Sequence, residues 1–513
     1  MARRLALPIV VLALGAMATP AGAAPCDGLR GLPVPTADVT KAEVVAPGAF
    51  APPGAGSDPS AAPPFKSLAS FCRVAATLKP TVDSEIKVEI WLPIGNWNGK
   101  FQAVGNGGWA GVIPYPSMAG ALAGGYATAG TDTGHTGNTA EFAVGHPEKV
   151  IDMGYRAVHE MTVYAKTLIA EYYGSAPSLS VWNACSTGGR QGITAAVRFP
   201  ADFDAIVAGA PAVDWMRLHA GRVALNLGVN RSPDHRVPLQ KYPLIHNAVL
   251  EACDAIDGVK DGVLEYPRAC RFDPQELVCA AADHPGCLTP PQVQAARAFY
   301  EPIRHPLTGE IVMAGLERGS EMSWSTLGGA QPIGNAAEAF KYIVFKGKDW
   351  NWRQFDLARD LAAAEAADGG VLASADADLR PFFDRGGKLL MYHGWSDPQI
   401  PPGNTVAFFN RIVERAGATA VGRSVQLYMV PGMNHCRGGA GTDRFNPVAA
   451  IEQWTVDGTA PAQLMASRVV DGRIDRTRPL CAFGTVAKWN GVGSTDEAGS
   501  FECVQQADVP QSR

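Results

Sequence analysis

Hydrophobic and polar positions divide the chain into segments of two periods. From Glu85 to Leu92 they largely alternate, which predicts a half-exposed strand, whereas Phe101–Val104 and Tyr126–Ala129 are short, more uniformly apolar and also read as strands. From Val150 to Tyr173 the apolar residues recur mostly at helical intervals (Ile151, Tyr155, Val158, Met161, Leu168, Ile169), predicting a long amphipathic helix ended by Gly174. The rhythm then repeats as strand Leu179–Trp182, helix Gly189–Arg198 and strand Phe203–Ala208, closed by Gly209-Ala210-Pro211. It stops, and resumes with strand Lys388–Tyr392, helix Asn404–Ala416, strand Ser424–Val430 and helix Asn446–Val456. Residues 24 to 65, rich in Pro, Gly, Ala and Ser, show no apolar period and are expected to be loop.

Strands alternating with helices imply parallel βαβ units, hence an α/β fold. The interruption divides the chain into a signal segment (1–23), one α/β domain made of 24–212 and 386–513, and a lid-sized insertion, 213–385, entering mid-sheet. With 513 residues, 47% hydrophobic and 18% charged, a large core is affordable and disorder is excluded. A net charge of −5, without a basic run beyond the N-terminus, argues against nucleic acid or an anionic membrane as partner and for a small molecule.

The N-terminus has the layout of an export signal: Arg3-Arg4, an apolar run from Leu5 to Met17, and small residues ending Ala21-Gly22-Ala23. Pro8 and the small-residue tail shorten the run below a membrane span, and Pro25 before Cys26 disfavours a lipid anchor. Secretion, periplasmic or extracellular, follows. In an oxidising compartment an even ten cysteines (Cys26, Cys72, Cys185, Cys253, Cys270, Cys279, Cys287, Cys436, Cys481, Cys503), none in a CxxC pair, read as five disulfides rather than zinc or redox sites.

The segment that carries chemistry is Val181-Trp182-Asn183-Ala184-Cys185-Ser186-Thr187-Gly188-Gly189-Arg190, a strand, a small-residue turn and a helix. It fits a nucleophile elbow, whose strained central Ser needs small neighbours two residues before and after; Ala184 replaces the usual first Gly. A serine hydroxyl needs a base, and the base an acid to orient it. Asp397 follows the Lys388 strand and His435 the Ser424 strand, so the order Ser186, Asp397, His435 is that of an α/β-hydrolase. His393 is the rival base, but four residues from Asp397 it reads as a pocket-lining or turn residue, and His135 as a turn residue that could also line the pocket. The oxyanion donors expected are the NH of Thr187 and one from the loop Gly105-Asn106-Gly107-Gly108, that of Gly108. A phosphate-binding reading of this loop lacks the required Lys-Ser/Thr or GxGxxG pattern; an ordinary tight turn stays open. A Ser186–His435 hydrogen bond would also bring Cys185 and Cys436 into disulfide range.

Together, Cys185-Ser186-x-Gly188-Gly189-Arg190, Asp397 and His435-Cys436 resemble the tannase and feruloyl esterase family of α/β-hydrolases, over nearly the whole mature chain. The resemblance implies an α/β-hydrolase fold with a large inserted lid, and further bridges Cys26–Cys72, Cys253–Cys270, Cys279–Cys287 and Cys481–Cys503. It also implies a structural calcium in the lid, held by the side chains of Asp254, Asp257 and Asp261 and the carbonyls of Val259 and Val263, an oxygen set suited to that ion; by spacing alone, Asp-Gly turns account for the same residues. The activity implied is that of a secreted serine ester hydrolase on aromatic esters, feruloyl or galloyl, with mono(2-hydroxyethyl) terephthalate hydrolysis as alternative. A peptidase with the same triad, and a secreted calcium-dependent binding protein without catalysis, are the competing readings. No redox cofactor is implied, and oligomeric state is not legible. Phe340, Tyr342, Phe345, Trp350 and Trp352 are candidates to stack on an acyl ring, or lid core, and Lys346, Lys348 and Arg353 candidates for a carboxylate, or surface charges.

Overall fold

The computed structural model describes residues 25–53, 63–347, 349–374 and 376–506; the segment read as an export signal, and Lys348, lie outside them. Its centre is a nine-stranded sheet of β1 (Ala37–Val45), β2 (Phe71–Leu78), β3 (Ile86–Pro93), β4 (Lys100–Val104), β5 (Ala127–Thr131), β6 (Leu179–Cys185), β7 (Ala205–Gly209), β8 (Lys388–Gly394) and β9 (Val425–Val430). The spatial order is β1-β2-β3-β5-β4-β6-β7-β8-β9, antiparallel from β1 to β5 and parallel from β5 onward.

The parallel strands are mostly apolar because both faces are covered. Trp182, Ile206, Ala208, Leu389, Met391 and Leu427 join one core, with α1 (Ala157–Tyr173), α2 (Thr187–Arg198) and the helix Pro402–Ala416. Their neighbours Val181, Ala205, Val207, Leu390 and Tyr428 join another, with the helix Pro447–Asp457 and the hairpin Gln463–Val470/Arg473–Cys481. Between β7 and β8 the chain leaves the sheet. Its helices, α3 (Trp215–Val229), Tyr242–Cys253, Pro290–Tyr300 and Leu357–Asp368, surround a separate core containing Trp324, Leu327 and Phe340.

Several sequence expectations change. The 24–65 region is not all loop: a 3-10 turn at Cys26–Gly31 and strand β1 lie within it, β1 pairing with β2 at the sheet edge and the turn held by Cys26–Cys72. An edge strand has one free side, so its polar composition hides it from a periodicity search. Strand β3 is not half-exposed; only Lys87 is solvent-facing. Glu89 is buried because Arg73 pairs with it and Trp91 Nε1 and Tyr115 Oη donate to it at 2.9 and 3.1 Å. The Val150–Tyr173 helix is composite: Pro147–Ile151, a π turn at Asp152–Arg156, then α1, which Gly174 ends at φ 71°. Strand β2 and the C-terminal hairpins, the second pairing Thr485–Trp489 with Phe501–Gln505, were not anticipated. No helix among the described residues is long and apolar enough to cross a membrane.

Candidate active site

The turn from β6 into α2 places Ser186 at φ 64°, ψ −124°, and its NH donates to the carbonyl of Gly209 at 2.9 Å. Crowding explains the small residues around it. A Cβ on Gly188 would lie 2.4 Å from that of Ala184, and one on Gly189 would lie 2.5 Å from the Gly209 carbonyl oxygen. Ala184 is therefore tolerated because residue 188 is Gly. Across the turn, a Cβ on Gly105 would meet Trp182, Gln191 and Ala184 below 3 Å, so the loop after β4 can reach the elbow only with Gly there.

Ser186 Oγ is 2.9 Å from His435 Nε2, and His435 Nδ1 is 2.7 Å from Asp397 Oδ2. With Nδ1–H donating to the carboxylate, Nε2 is free to accept the serine proton. Asp397 is fully buried; its Oδ1 accepts the NH groups of Gln399 and Ile400 at 2.8 and 3.0 Å. Burial alone would raise this carboxyl, but the charge of His435 and hydrogen bonds from His393 and His435 outweigh it and hold it well below the usual range.

Sequence reasoning missed the place of His393. It does not line the pocket: fully buried, it shares Nε2–H between Asp397 Oδ2 and the Ile400 carbonyl, each at 3.0 Å, while Nδ1 meets Thr405 Oγ1 at 2.7 Å. His135 also lies outside the substrate pocket; its Nε2 meets the Trp109 carbonyl at 2.8 Å and its ring stacks on Phe142.

The expected oxyanion donors border the same cavity as Ser186. Thr187 opens α2, so its NH has no intrahelical partner, and its Oγ1 donates to the Gly108 carbonyl at 3.1 Å. Gly108 has φ 51°. The loop is held from behind: Asn106 Nδ2 donates to the carbonyls of Val112 and Thr131 at 2.8 and 2.9 Å, and Asn106 N to Gln191 Oε1 at 3.1 Å. Neither Gln191 nor Asn106 was singled out in the sequence.

The cavity, about 450 Å³, is completed by Ala212, Trp215, Arg222, Asn335, Gln399 and Ile400. None of the five lid aromatics singled out in the sequence lines it. Phe340 is fully buried, 5.4 Å from the Trp350 ring and 5.1 Å from that of Phe355, so this cluster packs the core of segment 213–385. The aromatic wall of the pocket is Trp215 instead. Lys346 and Arg353 are exposed, Arg353 lying over Trp352, and the guanidinium that borders the cavity is that of Arg222.

The sulfurs pair as Cys26–Cys72, Cys185–Cys436, Cys253–Cys270, Cys279–Cys287 and Cys481–Cys503. In the loop after Cys253, Asp254 Oδ2 accepts Gly262 N, Asp257 Oδ1 accepts Val259 N and Asp261 Oδ1 accepts Val263 N. Asp254 Oδ1 is buried without a partner, while Asp261 Oδ2 meets Arg478 and Arg476 at 2.6 and 3.2 Å. Burial, aided by Asp261 and Asp254, pushes Asp257 up to about 6. The unpartnered Asp254 oxygen is a donor of the kind a hard divalent cation takes, while the Asp261 carboxylate is already paired with two arginines.

With this geometry established, comparison with known proteins identifies the family. The tannase and feruloyl esterase family model matches residues 72–504. An uncharacterized esterase of Xanthomonas campestris pv. campestris is 35% identical, the match covering 96% of this chain and 93% of that one. A probable feruloyl esterase B-1 of Aspergillus oryzae is 31% identical over 86% of this chain and 85% of its own. The crystal structure of feruloyl esterase B from Aspergillus oryzae superposes with a TM-score of 0.86 at 29% identity, covering 93% and 99% of the two chains. Tannin acyl hydrolase from Aspergillus niger, 23% identical and covering 92% and 90%, shares the fold with a TM-score of 0.74. The chain thus belongs to the tannase and feruloyl esterase family and is a carboxylic ester hydrolase of α/β fold.

Proposed function

We propose that the protein is a secreted serine esterase acting on small-molecule esters of aromatic, phenolic acids, feruloyl or galloyl esters among them. The observation that carries this reading is the continuous Ser186–His435–Asp397 hydrogen-bond chain bordering a cavity with one wall formed by Trp215. His435 Nε2 takes the Ser186 proton as Oγ attacks the ester carbonyl, and Asp397 stabilises the imidazolium. The NH groups of Gly108 and Thr187 receive the oxyanion. His435 returns its proton to the departing alkoxide, and a water activated by the same imidazole releases the acid from Ser186. Segment 213–385 acts as the lid. Names of the relatives support the phenolic acyl class, and five disulfides support an oxidising, extracytoplasmic location.

The test is a matched panel of methyl ferulate, methyl gallate, chlorogenate, an aliphatic ester and an aromatic amide, each beside Ser186→Ala. Turnover of the phenolic esters, lost by about 10⁴-fold or more in the mutant, is expected. Preference for the aliphatic ester overturns the acyl assignment, and a fully active Ser186→Ala overturns the mechanism.

The same reading gives the lid a structural calcium, held by Asp254, Asp257 and Asp261 with the Val259 and Val263 carbonyls, where it would offset the charge of Asp254 and Asp257 beside the Asp261 already paired with two arginines. Chelation should then lower Tm by several degrees, restored by calcium. An unchanged Tm removes the ion from the proposal.

A further inference from the structure

Arg222 lies on α3 and is only 3% exposed, yet it borders the ester cavity. Its Nε donates to the Gln399 carbonyl at 2.9 Å, and Nη1 reaches Asn335 Oδ1 at 3.4 Å and His219 Nδ1 at 3.3 Å. Among the described residues no carboxylate stands within ion-pair distance of it. Its Nη2 has no protein acceptor there and is not sealed from solvent, so this amino group is the one left for the cavity. The cavity lining contains no Asp or Glu. Asp397 acts on Arg222 at longer range, but its oxygens already serve two histidines and two amides. Burial lowers the guanidinium to about 10, which leaves it charged at neutral pH.

A buried cation without a counterion is costly, and a ligand that brings one recovers that cost as binding energy. We infer that Arg222 is an anion subsite of the ester cavity, selecting substrates that carry a free carboxylate besides the scissile ester. The inference rests on the ester-hydrolase reading and narrows it. The carboxylate can belong to the acyl part or to the alcohol part; both meet the guanidinium through the same charge-assisted hydrogen bonds.

Two substrate pairs separate these sources. Methyl 4-carboxycinnamate against methyl 4-methylcinnamate probes the acyl side, and caffeoylquinate against its quinic carboxamide the alcohol side. For one pair the wild type should favour the carboxylate by about 10- to 100-fold in kcat/KM, expressed mainly in KM. In Arg222→Gln that ratio should fall towards one, and Arg222→Lys should retain part of it. Ratios near one for both pairs in the wild type overturn the subsite, as does an undiminished ratio in Arg222→Gln. Should neither variant fold, the wild-type ratios decide. If no ester is turned over, the esterase reading fails separately. The subsite is then read by calorimetry, as tighter binding of 4-carboxycinnamamide than of 4-methylcinnamamide, and equal binding overturns it.

Discussion

Asp397 accepts from two histidines, and in the proposed mechanism geometry selects one of them as the base. His435 reaches Ser186; His393, sealed between Asp397, Ile400 and Thr405, reaches nothing that reacts. Its work is to hold the carboxylate in the orientation His435 needs. Replacing it with Ala should lower kcat by about 10- to 100-fold with little change in KM, because a small displacement of the triad costs that much. Stability should fall by about 1–3 kcal/mol, since Asp397 then loses a buried donor. Steady-state kinetics and urea denaturation read both, and an unchanged kcat would show that His393 is packing only. The triad is legible in sequence because elbow crowding writes itself as Ala184, Gly188 and Gly189, and because each partner follows a strand end. Arg222 is not legible. It sits within a buried helix with no motif around it, and its meaning comes from a cavity that only the fold creates.

At the scale of elements, the turn after β5 braces the Gly105–Gly108 loop proposed to hold the oxyanion. His135 meets the Trp109 carbonyl, next to Gly108, and Asp132 Oδ1 fixes the turn by accepting Lys87 N and Gly134 N, both at 2.9 Å. Burial raises Asp132 to about 7, against the pull of those two amides. A raised folded value means that the stability tied to its neutral form is complete below the unfolded value of 3.8 and is lost as pH rises through about 7. Asp132→Asn keeps the acceptor without the charge. The variant should therefore gain Tm relative to wild type at pH 8, an advantage that shrinks as pH falls to 5 and is gone only below the unfolded value of 3.8; a difference independent of pH would refute the ionisation. Elements buried on both faces, such as β6 to β9, were readable from their apolar runs. β1 and the C-terminal hairpins were not, because polar residues on exposed faces blur their period. The aromatic lid segment misled for another reason: rings at such spacing serve a core as well as a binding wall, and only packing tells them apart.

At the scale of the molecule, the site is assembled from chain segments far apart in sequence. Ser186 precedes the inserted segment 213–385, Asp397 and His435 follow it, and Cys185–Cys436 ties the two halves directly beside Ser186 and His435 across a separation of 251 residues. In the chain-entropy account a closure of that length stabilises the fold by about 5 kcal/mol, whereas Cys279–Cys287, separated by 8 residues, gives about 2.5 kcal/mol. The bridge differs from the short one in a second way. Cys436 sits at φ 65°, an uncommon conformation for a residue other than Gly, immediately after the His435 imidazole. Converting Cys185 and Cys436 to Ser should consequently cost about twice the stability lost on converting Cys279 and Cys287, and should lower kcat at temperatures where both proteins remain folded. Guanidinium denaturation beside ester kinetics checks the pair of effects. Equal losses in stability would place the contribution of the long bridge outside loop closure, and an unchanged kcat would show that the hydrogen bonds of Asp397 alone position His435.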